Sequence, residues 1–195
     1  MNLGEFLGGI GTVDLLIVLY FIGFFVLGFA QGTIRRLIGI GSILFSFLFA
    51  ANLADPLGRF LGDHWTQFPR EYAYMIGFGT VFVASAVALA LVVQGYYKPQ
   101  QLFQKARFAD EILGGLLGLL QAAIIFGAVL VILDTFFRIP GVPPDPQELP
   151  FLRDFWGGLD NTQFALLFHN TLMPASFALI GLFVQDTIKA TYPFR

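Results

Sequence analysis

Asp110-Glu111-Ile112-Leu113-Gly114-Gly115-Leu116-Leu117-Gly118-Leu119-Leu120-Gln121-Ala122, continuing through Val129 to Asp134, decides the fold. Between Glu111 and Asp134 lie 22 residues without a charge, Ile112 to Leu133. As a helix they span roughly 33 Å, enough to cross a hydrocarbon core of about 30 Å. Gly114, Gly118 and Ala122 recur every four residues and share one face, the small-residue pattern that lets a second helix backbone approach closely. The stretch reads as a membrane-spanning, membrane-packing helix.

The rest of the chain agrees. Of 195 residues, 56% are hydrophobic and 12% charged, with 24 Phe and a mean hydropathy of +0.74. Soluble domains carry about 25% charged residues, so half that share points to lipid as solvent. A net charge of −2, with no basic cluster longer than Arg35-Arg36, excludes nucleic acid as a partner. With no cysteine there is no disulfide, thiolate metal site or Cys nucleophile.

Three further apolar runs are long enough to span, giving spans at about 12–32, 37–54, 72–97 and 112–134. Residues Met1 to Thr12 contain no Lys or Arg, so the first run reads as a retained span rather than a cleaved signal. Asp55-Pro56 is expected to stop the second run, because proline does not continue a helix interior. Tyrosines 72, 74, 96 and 97 flank the third run as an aromatic belt at headgroup level. Residues 98–111 suit a short interfacial helix. Ile139–Pro150 holds five of the ten prolines and reads as an extended arm. Beyond it, Phe151–Leu172 is expected to form amphipathic helices on the outer surface. The apolar core 175–184 is short for a span and reads as interfacial, with a fifth span as the alternative.

The expected fold is therefore all-α, an integral membrane protein with four transmembrane helices (residues 1–138) plus a proline-rich arm and amphipathic or interfacial C-terminal helices (139–195). Arg35, Arg36, Lys98, Lys105 and Arg107 crowd the first and third connections. Positive-inside bias puts those connections in the cytoplasm and both termini outside.

These spans and their punctuation resemble the CvpA (colicin V production protein) family, small bacterial inner-membrane proteins. Asp14 opens the first span, and Gly28-Phe29-Ala30-Gln31-Gly32-Thr33-Ile34-Arg35 occupies the family's G-x-x-R-G-x-x-R turn. Asp110-Glu111-Ile112-Leu113-Gly114 with Gly118 is similar to D-R-x-L-G-x-x-x-G, and Leu133-Asp134-Thr135-Phe136 to an L-D-T-F ending. The resemblance runs from about Val13 to Gly141; the tail shares only its amphipathic character. Gln31, Glu111 and Gln121 stand where the family usually has Arg, and Ala122 where it usually has Gly. The resemblance implies a link to colicin V-type toxin production or export and to envelope maintenance.

The polar residues that could carry function are Asp14, Arg35, Arg36, Asp110, Gln121 and Asp134. Asp14 suits a helix N-terminus, where its charge caps free N–H groups. Asp134 sits at a C-terminal end that disfavours a negative charge, and Arg138 one turn on is its nearest partner in sequence. Gln121, near the midplane, reads as an interhelical hydrogen bond, or alternatively as a pore contact. Arg35-Arg36 reads as a topology anchor on anionic headgroups. His64 and His169 fall in separate segments without ligand-spaced neighbours, so no metal site is expected. No catalytic constellation and no cofactor motif can be assigned. Two functions stay open: a non-enzymatic scaffold with lipid, other membrane proteins or its own copies as partners, or a small oligomeric channel or transporter.

Overall fold

The computed structural model describes residues 11–65, 69–96, 107–138 and 149–175, with Gln94 as backbone only. All regular structure among them is helical: α1 (Thr12–Gln31), α2 (Thr33–His64), α3 (Arg70–Tyr96), α4 (Arg107–Phe137), α5 (Pro150–Asp160) and α6 (Gln163–Leu167), the last running into a π-helical turn at Phe168–Leu172. The first four are long and apolar enough to cross a membrane. Exposed Leu15, Leu16, Leu19 and Val26 on α1, and Val83, Val87 and Leu91 on α3, give the bundle an apolar outer surface. In water such a surface would be a liability; in lipid it is the solvent-facing side. This is a multi-pass membrane protein.

The central helix is α4. Its N-terminal half packs on α1, antiparallel, through glycine. A Cβ on Gly28 would overlap the Gly114 carbonyl, and one on Gly118 would overlap the Phe24 carbonyl. Tyr20 adds an interhelical bond, its hydroxyl donating to the Ala122 carbonyl at 3.0 Å. Ala122 itself is fully buried.

One residue, Gly32, separates α1 from α2. Its φ of +76° is open to glycine at no steric cost, and a Cβ there would lie 2.7 Å from Asp110 Oδ2. From this corner α2 departs on the other side of α4. Thr33 donates to the Asp110 carbonyl at 3.0 Å, and Gly39 meets Gln121 further along. Helix α2 then pairs antiparallel with α3, with Gly58 against Tyr74 and Gly77 against Leu57. The end of the bundle at Gly32 is called the corner end below, and the opposite one the tail end.

Three expectations need correcting. Helix α2 continues past Asp55-Pro56 to His64. Proline removes one backbone bond, and a helix between packed neighbours tolerates that loss. Tyr72 is buried in the core, edge-on to Phe136 with centroids 5.2 Å apart, rather than at headgroup level; Tyr96 is exposed. Pro150, assigned to the extended arm, is the first residue of α5, where its missing N–H is no loss. The interfacial helix expected at 98–111 lies outside the described residues up to 106, while Arg107–Glu111 opens α4. Tyr97, the arm at 139–148 and the run at 176–184 also lie outside them.

The tail does more than lie on a surface. Trp156 stacks on Phe137, Phe164 on Phe21, and Phe168 sits edge-on to Phe126. Phe126 is eight residues before Asp134, about 12 Å down the helix. The segment after α5 thus enters the groove between α1 and α4. This cover explains why Leu130 to Phe137 are all buried, with no face left for lipid.

Candidate functional site

Buried polar groups gather at the tail end of α4 and along its corner-side half, from Asp110 to Gln121. At the tail end, Asp134 is wholly buried. Trp156 Nε1 donates to its Oδ1 at 2.8 Å, and His169 Nε2 lies 2.9 Å from its Oδ2. Arg138 Nη1, half-exposed, donates to the same oxygen at 3.4 Å. The other ring nitrogen of His169 faces Asp160 Oδ1 at 3.5 Å. A protonated ring can donate to both carboxylates. The C-terminal end of α4 disfavours a negative charge, and three donors, two of them supplied by the tail, offset that cost.

The three groups Asp134, Asp160 and His169 offer ligand atoms within 4.8 Å of one another. The His169 expected to stand apart therefore has two acidic neighbours. Two carboxylates and an imidazole are a donor set that divalent cations use. Here both Asp134 oxygens already accept hydrogen bonds, and both ring nitrogens already face carboxylates. The arrangement is a closed network fastening the tail to α4.

Asp14 repeats the device on α1. Its Oδ2 accepts from Gly11 N at 3.0 Å, the capping role expected of it, and its Oδ1 accepts from Gln163 N at 3.0 Å. One carboxylate thus holds both its own helix start and the start of α6. His64, by contrast, is exposed and lies beside Phe60.

At the corner end, Arg36 is only 5% exposed. This corrects the reading of Arg35-Arg36 as a pair of headgroup anchors: α2 turns Arg36 inward, where Nη1 donates to Gln121 Oε1 at 2.8 Å. Gly39 leaves room for that amide, and Phe24 places its ring 5.8 Å below the guanidinium carbon. Nε of Arg36 is buried without a partner among the described residues. Beside it lies a cavity of about 170 Å³ lined by Gln31, Arg35, Arg36, Ser42 and Gln121, with α3 alanines as the far wall. That is an order of magnitude more than the roughly 10–15 Å³ a single water requires by this measure. Gln31 and Gln121, two positions where Arg was noted as usual, both line it. The third, Glu111, pairs with Arg107 at 2.8 Å on the surface. Asp110 is buried beneath Gly32, with Oδ1 unpartnered among the described residues.

The structure thus divides the candidate residues. Gly114, Gly118 and Ala122 face α1; Asp14 and Asp134 meet the tail; Arg35, Arg36 and Gln121 share a cavity, with Asp110 nearby under the corner. Sequence reasoning missed Trp156, Asp160 and His169. Their signal was present in Asp134, a carboxylate at a helix C-terminus that demands more donors than Arg138 supplies, and in the polar tips of an amphipathic tail.

Residues 13–173 match the family described as Colicin V production protein. No match is found among curated proteins or solved structures. The matched region extends past Gly141 to Met173, so the tail segment that fastens to Asp14 and Asp134 belongs to the family unit. A four-span bundle, its glycine-packed central helix and a match over most of its length place this chain in the Colicin V production protein family.

Proposed function

We propose that this protein is a non-enzymatic accessory or scaffold protein of the bacterial inner membrane, serving production or export of colicin V-type toxins and upkeep of the envelope. Its termini face the periplasm, a reading carried by the basic residues of the first and third connections. The observation that favours a scaffold over a conduit is the packing between the two polar sites. From Leu130 to Leu133 α4 is enclosed by apolar neighbours, Phe47, Phe78 and Phe82 among the core around it. A conduit needs polar lining or water along its whole length, and a core of this kind offers a rigid platform instead. The test uses toxin-producing cells lacking this protein. Restoring it should restore secreted toxin titre, and photo-crosslinkers at exposed positions of α5 should capture a membrane protein. Unchanged titre on its removal would defeat the proposal.

One observation favours the second reading, a small oligomeric channel or transporter: the polar cavity beside Arg36. Purified protein in liposomes decides between them. Flux of ions or small anions above that of empty liposomes would replace the scaffold with a transporter.

A further inference from the structure

A buried guanidinium is costly unless its donors are met. Arg36 has five N–H bonds to satisfy, and among the described residues Gln121 Oε1 accepts from it, on Nη1 alone. The Nε–H is buried beside the cavity with nothing among the described residues to receive it. Among the described residues, no carboxylate forms an ion pair with Arg35 or Arg36.

The cavity therefore has a definite chemical sign. Its two charged side chains are both cations. With the Gln121 carbonyl occupied by Arg36, the amide NH₂ of that residue is left as a donor. Gln31 stands exposed at the rim. The opposite wall is apolar, made by Ala86, Ala90 and Val93 of α3. The same turns of α3 expose Val87 and Leu91, so an acyl chain leaving the cavity would meet apolar surface.

We propose that this cavity binds a phosphate or phosphodiester oxyanion, held by Arg36 Nε and Arg35, with any alkyl portion against the α3 wall. Basic pockets between membrane helices hold anionic headgroups by this chemistry. The site does not depend on the toxin-related reading above: a scaffold or a transporter could carry it.

The test is thermal unfolding of the full-length protein in a neutral detergent, at matched ionic strength. Phosphatidylglycerol, phosphatidylcholine and inorganic phosphate are titrated separately. Phosphatidylglycerol is expected to raise the midpoint by several degrees, and phosphatidylcholine to leave it unmoved. Arg36→Gln should abolish the response. Arg35→Gln should weaken apparent affinity about fivefold, the value of one arginine near an anionic headgroup. Arg59→Gln, an exposed arginine toward the other end of α2, should respond like wild type. If inorganic phosphate stabilises with the same Arg36 dependence and the lipid does not, the oxyanion is a soluble one. A wild-type protein indifferent to both, or an Arg36→Gln variant that keeps its full response, overturns the proposal. Should Arg36→Gln not fold, Arg35→Gln decides: an undiminished response in it overturns the proposal equally.

Discussion

The tail end of α4 and its corner-side half handle a buried charge in opposite ways. At the tail end Asp134 faces Trp156, His169 and Arg138, and both of its oxygens are taken. At the corner end Arg36 has the Gln121 carbonyl, a donor to spare and a cavity next to it. Desolvation is costly in both places. A charge wholly satisfied by its own chain is a fastener, and its removal should be read in stability. A charge satisfied in part, beside open space, is a receptor, and its removal should be read in binding. The difference assigns the acidic end to architecture and the basic end to recognition.

The largest expected effect breaks both ends at once. Each depends on α1 lying directly on α4, because Asp14 and Gly32 are carried on or beside α1. Gly28→Leu puts a side chain where the Gly114 carbonyl is. Backbone cannot retreat as a flexible side chain can, so the helices must part. The loss is expected to exceed about 5 kcal/mol, a scale reached when packing fails outright. Membrane-inserted protein should then elute as aggregate on size exclusion, while Gly23→Leu, with open space around its Cβ position, should elute as wild type.

Next is Asp134→Ala, which acts on the closed end alone. Removing one member of a buried charged network costs about 3–5 kcal/mol, because the remaining members keep their desolvation cost. Trp156 reports the event directly. Its indole loses the acceptor 2.8 Å away, and in a Trp65→Phe background its emission should shift to longer wavelength as the tail loosens. The phosphatidylglycerol response at the other end should survive. If it vanished together with the fastener, the division between the two ends would collapse.

Much of the fold was legible in the sequence because lipid imposes simple rules. Charge-free runs of sufficient length, such as 112–133, announce spans, and the spacing of Gly114 and Gly118 announces a close neighbour without naming α1. The limits are equally physical. Pro56 was expected to end a helix, since a lone proline carries no information about the neighbours that hold α2 straight through it. Arg36 follows Arg35 directly, and two adjacent residues on a helix point about 100° apart. Arg36 is buried against α4 while Arg35 stays half-buried at the cavity, a distinction that depends on where α4 packs. His169 lies 35 residues from Asp134, and only the return of the tail into the groove brings them together.

Asp14→Ala should cost less, about 1–3 kcal/mol, the penalty for stranding the Gly11 and Gln163 N–H groups. Its signature is a tail that frays from the α6 side while Trp156 stays bound to Asp134. Faster hydrogen exchange at Gln163 with unchanged Trp156 emission would establish Asp14 as a second, separable fastener. A simultaneous change in both would make the acidic end a single cooperative unit.

The smallest effect tests where the basic end stops. Glu111 adjoins Asp110 in sequence, yet its side chain pairs on the surface with Arg107, while Asp110 is buried under Gly32. Exposed pairs four residues apart are worth about 0.3–0.5 kcal/mol. Glu111→Arg replaces that attraction with a like-charge contact in the first turns of α4, where the helix dipole also disfavours a cation, by a similar amount. Together these come to about 1 kcal/mol, and the midpoint should fall by about 2–4 °C. It also removes a negative charge and adds a positive one at the corner end, so the phosphatidylglycerol response should persist or grow. Loss of that response would extend the recognition site out of the cavity and onto the surface of α4, and the distinction between a buried receptor and a charged rim would have to be given up.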